Sequence, residues 1–210
     1  PPALTFVAEE LQNADAPLIR SVAASTLVGM NQSNRFTPAL KNRFAGVFKN
    51  VMETQRDPAV LGTIAAALAD SSLGYRDILR NASFLHSAKE KLHLPRHIEA
   101  LQAIESAIAH FENRRATTVR NEFNHPIDWA LVKRIPDDQL VTISTTRGKI
   151  VIRLFVNESP GSVANFVTLA MQDYFDNKFF HRVVPNFVVQ AGCNRGDAWG
   201  SEDYSIRSEY

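Results

Sequence analysis

Between Tyr174 and Gly192 the chain gathers its most chemically suggestive side chains. Arg182 and Gln190 stand in a run otherwise built of Phe179, Phe180, Val183, Val184, Phe187, Val188 and Val189. Such a set can act on an amide without a nucleophile or a metal. Rotation about a peptide C–N bond breaks its resonance, a barrier of about 18–20 kcal/mol, and uncatalysed prolyl bonds take tens of seconds or longer. A catalyst need only bind the twisted amide better than either planar form. That calls for an apolar slot for the pyrrolidine ring and a fixed donor near the amide. An arginine beside phenylalanine, valine and glutamine suits the task, provided Arg182 and Gln190 project from one wall and Phe187 and its neighbours form the floor.

Other candidate signals are weaker. Arg195-Gly196-Asp197 spells a cell-adhesion tripeptide but sits in a glycine-rich loop. Gly192, Gly196 and Gly200 have the spacing of helix-dimer motifs, yet Asn194, Arg195 and Asp197 make the segment too polar for a membrane helix. His93 and His97 have the spacing of a helical metal pair, but Pro95 lies between them. Asn31, Asn81 and Asn157 fit the Asn-x-Ser pattern, a frequent chance match. Cys193 reads equally as an inert, partly buried thiol or a redox sensor.

The wall requires strands, and the sequence predicts them at Phe179–Val184 and Phe187–Val189, on either side of Pro185-Asn186. Upstream, Val141, Ile143 and Thr145 alternate with polar neighbours. Arg147-Gly148 turns the chain, and Lys149–Val156 returns as the second strand of a hairpin. Ser159-Pro160 caps a following amphipathic helix with Val163, Phe166, Val167 and Ala170 on one face. Residues 116–138 read as a linker of turn formers around Trp129.

Residues 1–115 read as helical. Asp15 is predicted as an N-cap, Thr37-Pro38 and Asp57-Pro58 open two further helices, and helical segments follow at Tyr75–Lys91 and Arg96–Phe111. A shift of 42 superposes Asp15 on Asp57, Leu18 on Val60, Ile19 on Leu61 and Val22 on Ile64. That period resembles the helical hairpins of HEAT and armadillo solenoids, an assignment favoured over an ordinary helical bundle.

Composition limits what surrounds these elements. The 210 residues are 45% hydrophobic and 21% charged, enough for one large or two small cored domains. A net charge of +1 gives no electrostatic reason to expect nucleic acid, an anionic membrane or a polyacidic substrate. One cysteine permits neither an internal disulfide nor a cysteine-based metal cluster, and it leaves the redox compartment open. The longest nearly apolar run, Ala59–Ala69, falls short of the roughly 20 residues of a membrane span, so membrane insertion is not expected. The opening Pro1-Pro2-Ala3-Leu4 leads us to expect that the numbering starts inside a longer polypeptide.

The stretch Tyr174–Gly192, the hairpin before it, Ser159-Pro160-Gly161-Ser162-Val163-Ala164-Asn165-Phe166, and Asn194–Gly200 continuing to Ser208-Glu209-Tyr210 together resemble the cyclophilin-type peptidyl-prolyl cis-trans isomerases over about residues 139–210. The resemblance implies the first half of an antiparallel β-barrel with a packed helix, isomerase activity on X-Pro bonds of protein clients, and no cofactor. It assigns Arg182 as the catalytic arginine. Phe187, Val188 (where the family often has methionine) and Gln190 are assigned to substrate binding; His181 belongs to the same motif, and we read it as a structural neighbour and not as an acid or base. Two features depart from the family: Ala191-Gly192-Cys193 stands where Gly-Gly-Asp is common, and the chain stops at Tyr210 before the second half of the barrel. The 210 residues alone are therefore expected to be weakly active or inactive, with exposed sheet edges.

The expected organisation is multi-domain: a HEAT-like repeat domain at 1–115, a linker at 116–138 and a partial cyclophilin-like domain at 139–210. The repeat surface is expected to meet a protein partner, and proline-containing polypeptides to be clients. The competing reading is a non-catalytic scaffold that binds proline segments within a larger assembly. The style of Arg195–Gly200 resembles bacterial members of the family and tilts the expected location toward the cell envelope.

Overall fold

The structure, a computed structural model, describes residues 2–31, 33 and 36–209; Pro1 and Tyr210, both read in the sequence, lie outside the described residues. The chain forms two compact units, Pro1–Asn121 with Phe179–Ser201, and Glu122–Lys178 with Glu202–Tyr210.

Among its described residues the first unit contains the α-helices α1 (Pro2–Asn13), α2 (Pro17–Met30), α3 (Pro38–Thr54), α4 (Pro58–Ala69), α5 (Tyr75–Leu79), α6 (Ser83–Lys89) and α7 (Ile98–Phe111). Proline opens α2, α3 and α4, where its missing N–H would have had no partner in any case. Thr37 accepts the Leu40 N–H at 3.3 Å and Asp57 accepts the Ala59 N–H at 3.0 Å, as their sequence positions predict. Asp15 does not cap α2. Pro17 fixes the first helical residue and holds Ala16 extended ahead of it, so the cap falls on Ala16, with no side-chain bond.

α4 packs between α2 and α7, while α1 packs on α2, α3 on α4 and α6, and α6 on α7. Pro58 follows Pro17 by 41 residues and Ile98 follows Pro58 by 40. Matching positions are buried in all three of the stacked helices: Ala23, Ile64 and Ile104, then Leu27, Leu68 and Ile108. Burial of side chains of this size contributes about 1.5–3 kcal/mol each for the larger ones. Edge-on aromatic contacts link Phe36 to Phe44 and Phe44 to Phe48, and Phe48 meets Tyr75 at 5.2 Å. Tyr75 hydrogen-bonds Asn31.

The predicted helix Tyr75–Lys91 is broken in two. Arg80 adopts a left-handed φ of 61°, and the Asn81 side chain accepts both the N–H and the hydroxyl of Ser83, restarting the chain as α6. Packing favours the break, because it sends Phe84, Leu85 and Ala88 into the core.

The second unit contains α8 (Trp129–Val132), an antiparallel hairpin of β1 (Leu140–Thr145) and β2 (Gly148–Arg153), and α9 (Pro160–Met171). Its core is small: Leu154, Val156 and Val163, with Val132, Ile135, Val141, Ile152, Phe166 and Val167 against them. Within the segment read as a linker, Leu131 is the buried residue, and Trp129 is 54% exposed. Ser159 makes no side-chain cap. The Glu209 carboxylate instead accepts the N–H groups of Gly161 and Ser162, each at 2.8 Å, together with the Ser162 hydroxyl. An acid at this end satisfies orphan donors and meets the positive end of the helix dipole.

Among the described residues the strands form two separate two-stranded sheets and no closed barrel. No helix among them is long and apolar enough to cross a membrane.

One buried charge holds the end of the first unit's helical rows. Glu105 on α7 accepts from Lys89 and Arg114, each at 2.8 Å, and from the Thr117 N–H at 3.0 Å. Burial pushes its carboxyl up, but these donors outweigh burial and hold it at about 2, below its ordinary 4.5. A folded value below the unfolded one gives stability that is complete above about pH 4.5 and is lost as the pH falls toward 2. Glu105→Gln should lower the unfolding free energy by about 1.5–3 kcal/mol at neutral pH. Denaturant titrations repeated in acid should show the gap between variant and native protein closing; a gap that stays constant contradicts the pairing.

Candidate functional site

β3 (Arg182–Val184) and β4 (Val188–Gln190) pair antiparallel, Arg182 opposite Gln190, Val183 opposite Val189 and Val184 opposite Val188. β3 is shorter than the sequence suggests, with Phe179 and Phe180 left outside it, and β4 keeps the expected length but is shifted one residue on. The turn follows from its residues. Pro185 cannot donate, Asn186 tolerates the left-handed φ of 60° that it adopts, and the Phe187 N–H closes on the Val184 carbonyl at 3.1 Å.

Side chains alternate along each strand, so Arg182, Val184, Val188 and Gln190 share one face, with Val183 and Val189 on the other. Arg182 Nη1 donates to Gln190 Oε1 at 3.2 Å. The bond uses one guanidinium N–H and gives the long arginine side chain a fixed neighbour. Phe187 lies at the turn, 78% exposed, beside Val188. The four predicted site residues thus lie on one short hairpin: Arg182 and Gln190 in contact, Val188 on their face and Phe187 at its tip. The hairpin is an open wall. A cavity of about 480 Å³, with Val28, Gly62, Leu73, Ala103 and Trp199 among its walls, is lined by none of the four. His181, next to Arg182, has a buried Nδ1 without a hydrogen-bond partner.

The loop after β4 is held in place. Arg195 donates to both oxygens of Asp197, and its Nη2 reaches the Asp57 carboxylate at 2.8 and 3.1 Å. Asp197 also accepts the Trp199 N–H at 3.0 Å. Burial pushes the Asp197 carboxyl up, but the guanidinium and this N–H outweigh it and leave it below its ordinary value. The adhesion tripeptide is therefore an internal ion pair, with the Asp197 side chain only 2% exposed. Cys193 is half-buried. Burial pushes its thiol up, but backbone N–H groups of Arg195, Gly200, Asp197 and Gly196 bring it below the ordinary value.

His93 and His97 are no metal pair, because His97 Nδ1 accepts the backbone N–H of His93 at 3.0 Å just before α7 begins. No cluster of three His, Cys, Asp or Glu that could hold a metal ion occurs among the described residues.

Sequence reasoning missed Asp57 and Gly62 as partners of this loop. Asp57 reads locally as a helix cap, and nothing at residue 57 signals a partner 138 positions away. Gly62 sits in mid-helix, where glycine is usually a cost, and that oddity is a usable signal. A Cβ there would fall on Cη2 of Trp199, 2.7 Å from Cζ3 and 3.2 Å from the Ala100 Cα. Gly62→Ala, worth about 0.5–1 kcal/mol of added stability on helix propensity alone, should instead displace the indole. In a Trp129→Phe background the Trp199 emission should shift to the red; unchanged emission would show that the ring does not rest on Gly62.

Residues 140–209 match the family model described as cyclophilin type peptidyl-prolyl cis-trans isomerase/CLD. Over 68 residues the chain is 41% identical to a peptidyl-prolyl cis-trans isomerase of Helicobacter pylori, covering 32% of this chain and 42% of that protein. It is 40% identical over 67 residues to one from Synechococcus elongatus, covering 32% of this chain and 46% of the other. It is also 41% identical over 71 residues to a spliceosome-associated protein CWC27 homolog of Xenopus laevis, covering 34% of this chain and 15% of that protein. The chain thus spans less than half the length of each of these relatives. They come from bacteria and eukaryotes alike, so the bacterial style read at Arg195–Gly200 does not separate the two. No solved structure matches the chain.

Proposed function

Since residues 140–209 are a cyclophilin-type segment, we propose that the chain serves as a peptidyl-prolyl cis-trans isomerase acting on X-Pro bonds of protein clients. The observation that carries this reading is the pairing of Arg182 with Gln190 on the face that also presents Val188, with Phe187 at its tip. A planar prolyl nitrogen shares its lone pair with the carbonyl and accepts hydrogen bonds poorly. As the C–N bond rotates, resonance is lost and the lone pair localises on nitrogen. A guanidinium N–H held beside the bond then gains an acceptor that the ground state lacks, which is selective stabilisation of the twisted form. In this reading Arg182 is catalytic and Gln190 holds the guanidinium and the substrate backbone. Val188 and Phe187 supply the apolar surface for the ring. No cofactor enters the scheme.

The helical rows are proposed to be a HEAT-like solenoid spanning 1–115, followed by the linker 116–138 and the family segment 139–210. The 41- and 40-residue offsets of α2, α4 and α7, with their matching buried positions, support it. Such an array would present the isomerase to a partner or a long client. The second reading, a proline-binding scaffold in a larger assembly, draws on the spliceosome-associated name of the Xenopus relative and on Cys193 at the position where Asp is common in the family.

A protease-coupled prolyl peptide assay on the full-length protein decides between them. Arg182→Ala should lower kcat/KM about 100-fold or more with an unchanged far-UV spectrum. Phe187→Ala, at an exposed position, should shift stability by no more than about 0.5 kcal/mol while raising KM. Native protein that binds a proline peptide without turnover favours the scaffold, and turnover indifferent to Arg182→Ala removes Arg182 from the mechanism.

A further inference from the structure

The segment carrying the proposed site is held to the helices by its own continuation. Three residues beyond β4, the loop that starts at Cys193 is fixed at three points of the helical rows. Arg195 Nη2 meets Asp57 at the N-terminus of α4. The Trp199 ring rests on Gly62, one helical turn further along α4. The Ser201 carbonyl accepts from Arg96 Nε at 3.2 Å, just before α7.

Asp57 is a receptor for this loop as well as a cap. Its side chain is only 4% exposed, and the carboxylate is shared by the Ala59 N–H, by Arg20 of α2 at 3.2 Å and by Arg195. Arg195 in turn grips Asp197, so the loop presents a preformed fork and not a flexible arginine. The loop has no slack. Gly200 lies so close to Cys193 that a Cβ would come within 2.9 Å of its Sγ and collide with the Asn194 side chain.

A rigid loop anchored this near β4 restricts where β4 can lie. From Gln190 to Cys193 the chain can span at most roughly 10–11 Å. Resting on the isomerase reading above, we infer that Asp57, in the helical array, is a positioning residue for the isomerase face, acting through Arg195 to hold β4 with Val188 and Gln190 in place.

Asp57→Asn in the full-length protein tests this. Asparagine caps a helix about as well as aspartate, so the α4 cap is kept while the charge that holds Arg195 is removed. Positioning predicts that kcat/KM for a prolyl tetrapeptide falls about 3- to 30-fold, mostly through KM, at a temperature well below unfolding. Arg195→Ala should give the same loss, and the double variant no more than either alone. A purely structural role would lower the melting temperature and leave KM unchanged, and that result, or additive losses, overturns the inference. If the native protein shows no turnover, the isomerase reading fails by itself and the clamp is decided by hydrogen exchange in Asp57→Asn. Faster exchange across residues 188–199 upholds the hold on β4, and unchanged protection there overturns it.

Discussion

A carboxylate that has left water must be met by donors, and Asp57 is met from three directions. Its own helix supplies the Ala59 N–H, α2 supplies Arg20, and the loop after β4 supplies Arg195. Removing one partner from a buried charge leaves the others desolvated for nothing, so these contacts are mutually dependent. Arg20 and Asp57 tie adjacent members of the helical row, and Arg195 ties the site-bearing segment to both. A local device for starting a helix thus becomes the point where the first unit closes. Glu105 repeats the arrangement further along the rows, drawing α6 and the chain after α7 onto one buried acid.

What could be read in the sequence is what depends on neighbours along the chain. Thr37-Pro38 and Asp57-Pro58 announce α3 and α4 because capping and the fixed φ of proline are local effects. The β1–β2 hairpin and the β3–β4 turn follow from alternation and from Pro185-Asn186 for the same reason. The meeting of Arg182 with Gln190 was legible too, since it follows from the register of one short hairpin.

The rest depended on distant partners. Ser159 is the local choice to cap α9, but Glu209, 48 residues beyond Gly161, offers two carboxylate oxygens to the first-turn donors. Tyr75–Lys91 has helical periodicity throughout, yet burial of Phe84 and Leu85 favours a left-handed Arg80 over a continuous helix. Arg195-Gly196-Asp197 reads in the sequence only as part of a glycine-rich loop, because nothing nearby reveals Asp57. β3 is shorter than its apolar letters suggest because Phe179 and Phe180 remain outside the ladder, exposed.

The ion pairs of Asp57 also impose an order in time. Arg20 precedes Asp57 in the chain, so the carboxylate has one guanidinium as soon as α4 forms. Its second lies 138 residues further on. At synthesis rates of about 5–20 residues per second, that gap lasts about 7–28 s, far longer than a helical hairpin needs to form. The nascent helices therefore assemble around a half-satisfied acid, which stays ready to capture the loop when it leaves the ribosome.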